Sequence, residues 1–121
     1  MEKVKLYKYF DEQEFACKET GRNEIKPELI HMLDELRERC GFPFVITSGY
    51  RDPTHSAERN KSFPRLGTHV QGIAADIAVS DGAQRYKIVQ EAHNMGFGGI
   101  GVAKSFVHVD MRTGTPVMWT Y

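Results

Sequence analysis

The sequence has two cysteines, one tryptophan, no excess of charge of either sign and no long apolar run in its 121 residues. Each scarcity removes a class of protein. Cys17 and Cys40 are too few and too far apart to form the disulfide framework that replaces a core in small secreted domains. They are expected as buried free thiols on or beside two helices. Sixteen basic residues offset sixteen acidic ones, and neither sign gathers into a block. That balance argues against nucleic acid as the main partner, because phosphate binding needs a basic face. No stretch approaches the ~18 apolar residues that cross a bilayer. The opening MEKVKLYKYFDEQEF interleaves charge with apolar residues where a signal peptide would run apolar. The expectation is a protein that is cytoplasmic as synthesised, with neither nucleic acid nor membrane as a partner.

What is present is an ordinary globular composition, 40% hydrophobic. A chain of this size buries roughly two-thirds of its unfolded surface, enough for one domain over residues 1–121 that folds as a monomer. Asp11 and Glu14 match a capping box, with Phe10 and Phe15 placed to staple it, so a short helix is expected there. Pro27 suits a first helical position, and Leu29, Ile30, Leu33 and Leu36 recur at helical spacing as far as Gly41, predicting a helix over 27–39. FPFVITS and GIAADIAV read as strands. Asp81 and Gln84 are expected to cap a third helix with Tyr86, Ile88, Val89, Ala92 and Met95 on its apolar side. Four glycines then lead through IGV to a last strand, SFVHVDM, and the tail RTGTPVMWTY is expected to pack back on the body. Between the first two strands, residues 49–68 form a long polar segment of the kind that is functional or flexible in a compact domain. This order of elements predicts an α+β domain, a small antiparallel sheet packed against about three helices.

Two segments carry chemistry. In GTHVQGIAAD, His69 and Asp76 lie seven residues apart, and strand alternation puts Ala74, Asp76 and Ala78 on one face. A carboxylate flanked by alanines in an apolar strand is costly to bury unpaired, and a metal would remove that cost. In SFVHVDM, Phe106, His108 and Asp110 share a face, while Val107, Val109 and Met111 make the other core-like. Two histidines and a carboxylate are a ligand set for catalytic zinc with a fourth position open. Spacing alone leaves hydrogen-bonded structural histidines as the competing reading.

The H-x-x-G-x-A-x-D pattern from His69 to Asp76 resembles the signature of the zinc D-alanyl-D-alanine carboxypeptidase family, which also includes phage endolysins. Its zinc fold is shared with the hedgehog signalling domain. FACKETG, LRERCG, VITSGYR and FVHVDMR resemble the small carboxypeptidase-like branch in content and order, so the resemblance covers about residues 10–113. It implies a hedgehog/DD-peptidase-like fold, with His69, Asp76 and His108 as ligands of Zn2+, Gly72 as the turn residue that lets His69 and Asp76 converge, and Ala74 as a small neighbour of the metal. Arg51 matches the arginine that many relatives use to hold a substrate carboxylate or carbonyl, in the context Ser48-Gly49-Tyr50-Arg51. An arginine fork binds a carboxylate with two hydrogen bonds.

The sequence departs from the better-known pattern at the general base. Many relatives place an acid or histidine two or three residues before the last ligand, where this chain has Phe106 and Ser105. Asp110 is the substitute, either as the base or as a residue that orients a ligand histidine from behind. Thr68 stands where the common signature has serine, as a hydrogen-bonding residue or a plain loop hydroxyl. His55 is read as a solvated loop histidine with the cleft as the alternative, and His31 and His93 as structural or exposed. Trp119 and Tyr121 are read as packing residues, with a sugar-stacking surface as the alternative.

The resemblance implies a zinc metallopeptidase acting on peptidoglycan peptide stems, as a carboxypeptidase or an endopeptidase. The expected location fits a phage or prophage lysin that is released to the cell wall. The competing class is a catalytically silent zinc domain of the same fold, serving as a binding or virion module.

Overall fold

Local signals account for where each element starts and stops in the computed structural model, which describes residues 6–55 and 67–121. Asp11 accepts a hydrogen bond from the Gln13 N–H, and Glu14 reaches back to the Asp11 N–H. This capping box opens a single 3-10 turn, Glu12–Phe15, rather than an α-helix. The Phe10 and Phe15 rings close the staple with centroids 5.5 Å apart. Helix α1, Pro27–Cys40, begins on its proline and ends on Gly41, whose φ of 81° gives the left-handed cap that glycine adopts without a Cβ penalty. Helix α2, Gly82–Met95, is capped by the Asp81 carboxylate on the Gln84 N–H and stops at Gly96 in the same way.

Five strands form one sheet in the order β1-β2-β4-β3-β5: β1 Ile46–Ser48, β2 Ala74–Ala78, β3 Gly99–Val102, β4 Phe106–Asp110 and β5 Val117–Thr120. The protein is therefore α+β, with two α-helices where about three were expected. The sheet is antiparallel except at one edge, where β5 runs parallel to β3. The tail expected to pack on the body does so as this fifth strand. The first strand is shorter than the FPFVITS run: it begins at Ile46, with the Val45 carbonyl just before it accepting from the Ala78 N–H.

Strand alternation divides the sheet into two chemically distinct faces. Ile46, Ala75, Ile77, Ile100, Val107 and Val109 point into the core, against Leu29, Ile30, Leu33 and Leu36 of α1 and Ile88 and Ala92 of α2. Each fully buried Val, Leu or Ile side chain among them contributes about 1.5–3 kcal/mol of hydrophobic stabilisation. Tyr86, expected on the apolar side of α2, is 70% exposed. Cys17 and Cys40 are buried free thiols, as expected. Among the described residues, no helix is long and apolar enough to cross a membrane.

The opposite face carries one rung that crosses the whole sheet. Ser48 pairs with Asp76, Asp76 with His108, His108 with Gly101, and Gly101 with Trp119. A register shift between Ile46 and Ser48 brings Ser48 into this rung, as β-bulges often do beside functional sites.

Gly72 joins this face to the loop before β2. Its φ is +74°, and a Cβ there would lie 2.3 Å from the Glu24 carbonyl oxygen, whereas Gly96 has open space around it. Gly96→Ala should therefore cost about 1 kcal/mol, the left-handed penalty alone. Gly72→Ala should cost about 1–3 kcal/mol more from overpacking. Urea unfolding of the two variants measures the difference, and equal midpoints would contradict this account.

Candidate metal centre

Three chain segments converge on the Asp76 carboxylate. Asp76 comes from the middle of β2 and His108 from the facing position of β4, so their placement follows from register alone. His69 comes from the turn before β2, in which the Gly72 N–H donates to the His69 carbonyl and the Ile73 N–H to the Thr68 carbonyl. The end of β1 anchors that turn, because the Arg51 N–H donates to the His69 carbonyl at 3.2 Å. The His69 Nδ1–H donates to the Gly49 carbonyl at 2.7 Å. A carbonyl can only accept, so Nδ1 carries a proton and Nε2 is the nitrogen that faces Asp76.

His108 is oriented by the opposite nitrogen. Its Nε2 lies 2.7 Å from Asp110 Oδ2, and its Nδ1 lies 3.0 Å from Asp76 Oδ1. Asp110 is fully buried, and Arg112 donates to it from Nε at 2.9 Å, from Nη2 at 2.7 Å and from its backbone N–H at 3.0 Å. Asp110 is thus a committed acceptor, which keeps a proton on His108 Nε2 and makes Nδ1 the nitrogen open to a metal. Gly99 makes room for this arrangement, since a Cβ there would fall within 2.5 Å of all three Asp110 carboxyl atoms.

The resulting donor set fits a small divalent cation. His69, Asp76 and His108 are all buried and offer one ligand atom each, all within 4.8 Å of one another. His69 Nε2 and His108 Nδ1 approach the same Asp76 oxygen at 3.2 and 3.0 Å. Tetrahedral ligands about 2.0–2.1 Å from zinc stand about 3.3 Å apart, so two of the three edges already have the separation zinc requires.

The charges around these atoms are strongly coupled. Burial pushes the Asp76 carboxyl up, but hydrogen bonds from His108 and His69 outweigh it and hold the group well below the usual carboxylate range. Asp110 is likewise raised by burial and brought well below that range by His108 and Arg112. Burial lowers His108, yet Asp110 and Asp76 overcome it and raise the imidazole above its usual value. The site is built to hold positive charge between two carboxylates.

The other residues singled out in the sequence fall on both sides of this centre. The Arg51 guanidinium lies 3.6 Å from Asp76 Oδ2, and its Nε donates to Ser48 Oγ at 3.1 Å. Ser48 therefore holds the arginine that approaches the centre. Neighbours pin this segment, because the buried Tyr50 hydroxyl donates to Glu24 at 2.7 Å and Asp52 accepts from the Thr54 N–H and hydroxyl. Thr68 adjoins His69 and is half-buried, with its carbonyl bonded to Ile73. His55 lies away from the ligands, 3.2 Å from Glu19, while His31 and His93 are exposed on the helices. Of the polar segment 49–68, residues 56–66 lie outside the described residues.

Arg112 was not singled out in the sequence, and Trp119, read there as a packing residue with sugar stacking as the alternative, stands beside the centre. The Trp119 ring centroid is 5.0 Å from that of His108, and Arg112 Cζ is 4.9 Å from the indole centroid. Alternation had a signal for Arg112, which stands two residues beyond Asp110 on the same face. Trp119 had none, because its place depends on β5 pairing with β3.

A metal at this centre would displace the proton that His108 Nδ1 otherwise shares with Asp76. The raised His108 pKa stabilises the metal-free fold below about pH 6.5, and that contribution is lost as pH rises through the folded value. Zinc should therefore raise the melting temperature more at pH 8 than at pH 5. Thermal melts with and without zinc test this, and a zinc effect that is equal or larger at pH 5 would contradict it.

No curated protein matches the chain at a significant level. The model of the family described as Peptidase M15 matches residues 8–110, a span that contains His69, Asp76, His108 and Asp110. The chain belongs to the Peptidase M15 family.

Proposed function

We propose that the protein is a zinc metallopeptidase that hydrolyses an amide bond beside a D-amino acid in the peptide stems of peptidoglycan. The observation that carries this reading is the buried triad His69, Asp76 and His108, whose three donor atoms face one another within 4.8 Å. Membership of a peptidase family supports amide hydrolysis in general. Zinc held there would polarise the substrate carbonyl and acidify water.

The chain's own residues divide the remaining work. Gly49 fixes the His69 tautomer, and Asp110 fixes that of His108. Asp110 acts through this histidine, because the Nε2 it holds points away from the Nδ1 that faces Asp76. Of the two roles open to Asp110 in the sequence, the geometry supports orientation of the ligand over proton abstraction. Arg112 locks that carboxylate in place. Arg51 stands over the second oxygen of Asp76, with Ser48 at its Nε, where a planar fork can take a carboxylate or carbonyl of the substrate. The Thr68 hydroxyl adjoins His69 and serves as a further polar contact for the peptide.

Purified peptidoglycan incubated with zinc-loaded protein should release peptide fragments detectable by mass analysis, and a chelator should stop the release. Arg51→Lys, which keeps the charge but loses the fork, should lower kcat/KM about 10–100-fold on a substrate with a free terminal carboxylate. Absent cleavage, or cleavage indifferent to the chelator, would overturn the proposal.

A further inference from the structure

The rung that carries the ligands has unequal arms. From Asp76 toward β1 there is one strand, and Arg51 fills that side. From His108 toward β5 there are two strands, which at ~4.8 Å per strand is about 10 Å. An extended peptide advances about 3.3 Å per residue, so this arm has the length of about three residues.

The long arm is aromatic. Gly101 has no side chain, and the Trp119 indole lies over it: a Cβ at Gly101 would sit 2.8 Å from the indole Nε1. Just past the end of β5 stands Tyr121, 69% exposed, with its ring 6.5 Å from that of Trp119 and reaching back to within 5.0 Å of that of Phe106 on β4. Arg112, whose guanidinium lies over the Trp119 ring, is committed to Asp110. The two halves of the face therefore differ in chemistry, with a guanidinium on one side of the ligands and apolar rings on the other.

From this asymmetry we infer that Phe106, Trp119 and Tyr121 form the subsite for the acyl side of the peptide, and that an aliphatic side chain packs onto the surface of the Tyr121 and Phe106 rings there. The inference rests on the peptidase reading above. A carboxylate drawn to Arg51 sends the rest of the peptide the other way across the strands, onto the rings. The rings are tilted by 56° between Phe106 and Tyr121 and by 63° between Trp119 and Tyr121. Packed on one another at these angles, they present a stepped apolar surface rather than a flat shelf. A pyranose stacks on a flat exposed ring, whereas a chain of methylenes packs on an uneven apolar surface.

The test uses the zinc-loaded protein and two peptides, acetyl-Lys(Nε-acetyl)-D-Ala-D-Ala and its acetyl-Gly counterpart. Cleavage is followed by released D-alanine. Binding of the product-shaped acetyl-Lys(Nε-acetyl)-D-Ala and acetyl-Gly-D-Ala is followed by fluorescence of Trp119, the single tryptophan of the chain. Tyr121→Ala should lower kcat/KM and product affinity about tenfold for the lysine peptides and leave the glycine peptides within about twofold. Tyr121→Phe should retain wild-type values, because the ring and not the hydroxyl makes the contact. Cleavage with no dependence on Tyr121, or equal loss for both peptides, would overturn the subsite while keeping the peptidase. Dependence on Tyr121 seen only with sugar-linked stems would also overturn it in favour of a glycan. Tyr121-dependent binding without cleavage would keep the subsite and remove the peptidase reading.

Discussion

The structure turns on one buried carboxylate. Asp76 lies in the middle of the sheet, only 7% exposed, in a strand whose reverse face is core. An isolated ion there would cost several kcal/mol in desolvation. Everything near it acts to offset that cost: two imidazole nitrogens converge on one of its oxygens, and a guanidinium stands over the other. A divalent cation among these atoms would complete the compensation and replace a proton on His108. The same constraint explains why Gly99 and Gly101 lack side chains, since the Asp110 carboxylate and the Trp119 indole occupy the space.

The orientation of the ligands is set by residues that do not face the metal position. A backbone carbonyl selects Nε2 of His69, and a carboxylate clamped by arginine selects Nδ1 of His108. Partners of this kind, bonded to the far nitrogen of a metal-binding histidine, typically change metal affinity about 10–100-fold when they are mutated. The chain from Trp119 through Arg112 and Asp110 to His108 couples the edge strand to the centre of the site. Asp110 accepts from both Arg112 and His108, an arrangement that favours its role in orienting the histidine.

Much of this was legible in the sequence, and the parts that were not have a common cause. The caps at Asp11, Pro27, Gly41, Asp81 and Gly96 are local signals, and they placed the helices within a residue or so. Alternation in AADIA and FVHVD put Asp76, His108 and Asp110 on one face because side chains alternate whatever the partners are. Long-range pairing hid the remainder. The bulge that brings Ser48 beside Asp76, the parallel docking of β5 and the contact of Trp119 with His108 each depend on two distant segments meeting. Tyr86 fits the helical stripe of α2 and is nevertheless exposed, because a stripe in the sequence does not say how wide a face the sheet covers.

The central claim is that a single metal sits between His69 Nε2, Asp76 and His108 Nδ1, with Asp110 behind the second histidine. Anomalous diffraction at the zinc edge, from crystals of zinc-loaded protein, tests it directly. The account predicts one strong peak about 2.0–2.1 Å from each of those nitrogens and from an Asp76 oxygen, with Asp110 still bonded to Nε2 and Arg112. A peak on His108 Nε2 with Asp110 as a ligand, or no peak between the two histidines, would contradict it.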